Sequence, residues 1–200
     1  MGSAPTPRPM RADARRNYER ILAVARDAFA ELGPEAPLDD IARKAGVGAG
    51  TLYRRFPCRE TLIEAVYRDD VERLSARAHE LLETLPPDEA LAEWMRAQVE
   101  FATQKRGLAT TLKAAMDRDG ETFALCKTML NDAVAAMLKA AQEAGTVRAD
   151  LVPRDLLLMG HGIAVSDASP ETAERLLSVM IAGLRPPAQS APPGHSASGA

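Results

Sequence analysis

Apolar residues in this chain recur at steps of one, three and four, and glycine or proline interrupts them every 10 to 25 residues or so. That combination admits helices and little else. Ile21, Ala25, Ala28, Phe29 and Leu32 mark one helical face, which Gly33-Pro34 stops. Leu62, Ile63, Val66, Tyr67, Val71, Leu74, Ala78, Leu81, Leu82 and Leu85 trace a single stripe that ends at Pro86-Pro87, so the spacing predicts one helix over about 59–85. Further stripes run through Leu91, Trp94, Met95, Gln98 and Phe101, and through Phe123, Cys126, Met129, Leu130, Val134, Met137, Leu138 and Ala141. Pro153 and Pro170 stand where the last two helices would begin. No segment alternates with period two over the length of a strand. The prediction is an all-α chain of roughly nine helices.

The 200 residues suffice to bury a core without disulfides or metals. Cys58 and Cys126 are too few for a disulfide framework or a four-cysteine zinc site, and three dispersed histidines leave no metal or other cofactor to expect. No apolar run spans a membrane, and residues 1–10 lack the apolar stretch of a signal peptide, so a cytoplasmic protein is expected. Residues 1–10 and 186–200 are rich in Pro, Gly, Ser and Ala and read as disordered tails. Charge is unevenly divided. Residues 1–59 carry 11 basic and 7 acidic residues, a net of +4, on a chain whose total is −3. The basic quarter points to an anionic partner for the N-terminal unit, 11–58, ahead of a helical body at 59–185.

Residues 38–56, LDDIARKAGVGAGTLYRRF, read as two short helices joined by a glycine turn. Ile41, Ala42 and Ala45 face inward from the first helix, Gly46 permits the turn, Val47 fills the gap, and Leu52 and Phe56 anchor the second. Ala49, Gly50, Thr51, Tyr53, Arg54 and Arg55 are left to face outward. A helix of this kind enters the major groove with its N-terminal residues against base edges. Small residues at 49 and 50 allow close approach. Thr51, Tyr53 and Arg54 offer groups for base readout, and Arg55 and Arg59 are the expected phosphate clamps.

The run DDIARKAGVGAGTLYRRFPCRETL resembles the DNA-binding domain of the TetR family of bacterial transcriptional regulators. The resemblance covers about 60 residues once the first helix is included. It implies a three-helix DNA-binding unit with a helix-turn-helix, then a helical ligand-binding and dimerisation domain. It further implies a homodimer on duplex DNA, most often a repressor released when a small molecule binds. This chain departs from the usual pattern in several places. Pro37 and Leu38 replace a Ser or Thr that touches phosphate, Gly48 replaces a serine cap, and Ala49 stands where a longer side chain is frequent. Arg55 stands where His or Tyr is common, and Cys58 replaces a Ser or Thr cap. Together these move the expected binding toward arginine electrostatics.

Trp94, Gln98, Phe101, Met116, Phe123, Cys126, Met129, Met159 and His161 form the candidate ligand pocket, with Gln98 or His161 as polar anchor for a largely apolar or aromatic effector. The same side chains would also make an ordinary helical core. The wide stripes of the last two helices, with Leu156, Ile163, Leu177, Met180 and Ile181, are the candidate dimer interface through a four-helix bundle. The glycines at 46, 48 and 50 lack the preceding strand and the Gly-Lys-Ser/Thr of a phosphate loop, and Asp117, Asp119 and Glu121 lack the spacing of a calcium loop. No nucleophile–base or carboxylate pair stands at a telling spacing, so no catalytic residue is expected. The remaining alternative is a helical adaptor or a constitutive regulator without an effector.

Overall fold

A computed structural model describes residues 8–118, 120–166 and 168–187, with the side chains of 8–12, 110 and 115–118 outside the description. Among the described residues the regular structure is entirely helical. The α-helices are α1 (Arg8–Leu32), α2 (Leu38–Lys44), α3 (Ala49–Arg55), α4 (Arg59–Thr84), α5 (Pro87–Lys105), α6 (Ala109–Arg118), α7 (Gly120–Glu143), α8 (Pro153–Val165) and α9 (Pro170–Gly183). Helix α1 starts at Arg8, inside the segment expected to be a disordered tail, with Pro9 in its first turn, where a missing N–H does no harm. The remainder of both expected tails, 1–7 and 188–200, lies outside the described residues. No described helix is long and apolar enough to cross a membrane.

Local chemistry sets the boundaries. Gly33 ends α1 at φ 71° and Gly46 makes the α2–α3 turn at φ 64°, a left-handed conformation that costs glycine least. Pro87, Pro153 and Pro170 open α5, α8 and α9, where a missing N–H does no harm. The Ser169 hydroxyl accepts the Thr172 amide as cap of α9. After α7, the Gln142 amide donates to the carbonyls of Arg148 and Leu151 at 3.1 and 3.0 Å and closes the loop into α8.

The core falls into two clusters, and their border lies inside α4. The first gathers α1, α2, α3 and the opening half of α4 around Ile21, Leu22, Phe29, Ile41, Leu52, Phe56, Leu62, Ile63 and Val66. It also takes in Leu108, Leu112 and Phe123, which the sequence assigns to the C-terminal body. The second packs the far half of α4 against α5, α7, α8 and α9 around Leu74, Leu91, Trp94, Met95, Met137, Leu138 and Leu156. Trp94 is fully buried, and its indole donates to the Leu74 carbonyl at 2.9 Å, so its one polar atom is satisfied. Burying a side chain such as Leu91 contributes about 1.5–3 kcal/mol.

Candidate nucleic-acid interface

Helix α3 is held from beneath. Leu52 and Phe56 sink into the first cluster, the Leu52 amide reaches back to the Gly48 carbonyl at 3.2 Å, and the Phe56 amide closes the last turn on the Leu52 carbonyl at 2.8 Å. Ala49, Gly50, Tyr53, Arg54 and Arg55 are exposed as a result, and Thr51 is half-buried. These six therefore share one outward surface. A Cβ at Gly48 or Gly50 would meet nothing within 4 Å, so internal packing does not demand the small residues there.

Three of the outward side chains differ in how they are held. The Tyr53 hydroxyl donates to Asp39 at 3.3 Å, which ties the recognition face to α2. The Arg55 guanidinium lies 4.9 Å above the centre of the Tyr18 ring, from α1. No ion pair engages Arg54 among the described residues. Arg59 is placed differently from the other expected clamp: it donates to the carbonyls of Pro34, at 2.7 Å, and Ala36, and so pins the start of α4 to the short turn after α1. Its side chain is half-buried and serves the fold. Tyr18 and Asp39 escaped the sequence reading. Extending the α1 stripe back three residues from Ile21 reaches Tyr18, so a weak signal for it exists. Nothing local marks Asp39.

The candidate pocket residues are divided between the two core clusters. Trp94 belongs to the second cluster, whereas Phe123 sits in the first. The Tyr67 ring lies 5.2 Å from that of Phe123 and 5.8 Å from that of Phe101, and burial pushes its phenol up to about 12. Cys126 is fully buried, its thiol pushed up by the same loss of water. Met129 and Met159 are half-buried, and the Met116 side chain lies outside the described residues. His161 is exposed on α8. Gln98 is 6% exposed, and its Oε1 has no hydrogen-bond partner among the described residues. That oxygen faces Gly160 of α8, where a Cβ would come within 2.0 Å of it. A groove of about 440 Å³ opens nearby, between α5 and the α8–α9 connection, lined by Val99, Thr103, Ile163, Ala173 and Leu177 among others.

The side chains expected at a dimer interface pack to different depths in the protomer. Leu156 and Leu177 are buried within the protomer, and Ile163, Met180 and Ile181 pack against the same core. On these two helices, Leu158 (56% exposed) and Val165 (48%) of α8 and Leu176 (42%) and Val179 (67%) of α9 stand in solvent.

Comparison with known proteins agrees with this layout. Residues 21–66 match the bacterial regulatory proteins of the tetR family, and residues 86–186 match the C-terminal domain of SbtR-like transcriptional regulators. A crystal structure of the TetR transcriptional regulator SCO0520 from Streptomyces coelicolor is 43% identical, with a TM-score of 0.76 over 84% of this chain and 98% of that one. A TetR regulatory protein from Mycobacterium vanbaalenii is 37% identical, with a TM-score of 0.70 over 88% and 99%. The HTH-type transcriptional regulator UidR of Escherichia coli is 27% identical over 88% of this chain and 96% of its own length.

Proposed function

The chain belongs to the TetR family of DNA-binding transcriptional regulators, and from that premise we propose that it is a homodimeric repressor, released from an inverted-repeat operator by a small neutral molecule. The observation that carries the DNA-binding part is the outward face of α3. Its two arginines are exposed and have no carboxylate partner among the described residues, beside Thr51 and Tyr53, over a backbone that Ala49 and Gly50 leave open to close approach. Two-fold symmetry of the protein would imprint an inverted repeat on the operator. Selection of bound duplexes from a random pool at low salt tests this. Enrichment of an inverted repeat is expected, and a pool that stays random sinks the reading.

Effector release rests on Gln98. A buried amide oxygen without a donor is costly, and such a group in an apolar body supports a ligand that brings an N–H or O–H to it. The apolar neighbours favour an uncharged, largely apolar or aromatic molecule. A regulator without an effector is the second reading, favoured by the close packing of Trp94, Phe123 and Cys126 in their separate surroundings. Native mass spectrometry of the protein isolated from its own cells separates the two. A bound neutral compound supports the effector, and an empty protein in every growth condition supports the constitutive regulator.

A further inference from the structure

A groove of about 690 Å³ runs between α1 and α3, lined by Arg15, Asn17, Tyr18, Thr51, Arg54 and Arg55 among others. Tyr18 is its fixed element. The ring packs against the first core cluster, stacks on Phe56 with centroids 5.8 Å apart and planes 24° apart, and its oxygen accepts a hydrogen bond from Arg68 of α4 at 3.3 Å. Arg55 rests on this ring. A guanidinium held over a ring spends no N–H donor on a hydrogen bond there, and no hydrogen bond or ion pair engages Arg55 among the described residues. Arg59, four residues on, shows the contrast, since its Nη1 already donates to two backbone carbonyls.

We propose that Tyr18 is a positioning residue for DNA: its ring holds the Arg55 guanidinium at the groove with its donor edge turned to a phosphate of the bound strand. This rests on α3 being the helix that meets DNA. A long cationic side chain ordered before binding loses less freedom when it engages the phosphate. The contact is to backbone, so it strengthens binding to every sequence alike.

The test is a double-mutant cycle on the duplex that the unaltered protein selects. Tyr18→Leu keeps apolar volume and removes the ring, and affinity is expected to fall about three- to fivefold on matched and mismatched duplexes alike. Tyr18→Phe keeps the ring and is expected to bind as the unaltered protein does. Arg55→Gln is expected to weaken binding and lower the salt slope by about one. In the Arg55→Gln background, Tyr18→Leu is expected to cost almost nothing more. An undiminished affinity for Tyr18→Leu, an equal loss in both backgrounds, or a Tyr18→Phe protein as weak as Tyr18→Leu overturns the proposal. Should Tyr18→Leu not fold, nuclear magnetic resonance of the unaltered protein decides. The Arg55 side-chain protons are expected to carry an upfield ring-current shift that persists in the complex with DNA, and its absence in either state overturns the proposal. A wild-type protein that selects no DNA refutes the reading of α3 itself, which keeps the two failures distinct.

Discussion

Arg55 and Arg59 carry the same side chain four residues apart, and the fold sets one over an aromatic ring and ties the other to backbone carbonyls. The difference predicts different phenotypes. Arg59→Ala leaves the Pro34 and Ala36 carbonyls without their charged donor and loosens the seat of α4. It is expected to destabilise folding by about 1–2 kcal/mol, since hydrogen bonds to charged groups contribute somewhat more than neutral ones and this site is only partly buried. Denaturant titration reads the loss as a lower midpoint with an unchanged slope. The salt dependence of DNA binding is expected to stay as it was, and a lower salt slope would restore Arg59 to the phosphate contacts. The recognition face was legible in the sequence because α3 is anchored by its own residues, Leu52 and Phe56, at helical spacing. The partners Tyr18, Asp39 and Pro34 were not, because each lies 14 or more residues from the side chain it holds, and local spacing carries no record of such contacts.

At the scale of the element, periodicity located the helices and failed to fix their rotation. Leu156, Leu157, Leu158 and Met159 form an unbroken apolar run in α8, as Leu176 and Leu177 do in α9. A helix that is apolar most of the way round has no phase to read, and packing alone chooses which side turns inward. The structure turns Leu156 and Leu177 inward and leaves Leu158, Val165, Leu176 and Val179 in solvent. On α8 the exposed positions 158, 161, 162 and 165 follow one face, with Gly162 offering room for close approach. Two copies joined through this face would cover a patch that a lone protomer leaves wet. Val179→Glu and Leu176→Glu are therefore expected to give folded monomers in sedimentation, with DNA affinity greatly reduced. Leu177→Glu, which places a charge in the protomer's core, is expected to prevent folding. A Val179→Glu protein that remains dimeric rules this face out.

Across the whole molecule, the two clusters are joined by charge as well as by packing. Arg26 of α1 pairs with Asp69 and Asp70 near the middle of α4, and Asp70 also takes Lys105 from the last residue of α5. Asp70 and Lys105 are 10% exposed, so their pairing is weakly screened. Lys105 in turn lies 5.9 Å from the centre of the Phe101 ring. The network thus ties the middle of α4 to both the DNA-binding unit and the C-terminal body. The leverage is large. At 1.5 Å per residue, the start of α4 lies about 16 Å from Asp70, so a tilt of about 10° carries it about 3 Å and changes the separation of two recognition helices by about 6 Å. Successive major grooves tolerate little of this, since one added base pair displaces a half-site by about 3.4 Å along the axis. If the protein is the homodimer proposed above, a rigid clamp should therefore make it strict about operator spacing. Lys105→Met retains the apolar stem and removes one strut, leaving Asp70 with Arg26. It is expected to bind the selected operator within about threefold of the unaltered protein. Its preference for that operator over one with a single base pair added between half-sites is expected to shrink several-fold, because interactions at such a junction have effects of about 0.5–2 kcal/mol. Competition titrations with the two duplexes measure the ratio directly. An unchanged ratio would mean that packing alone fixes the pivot and that the charges serve only the stability of the fold.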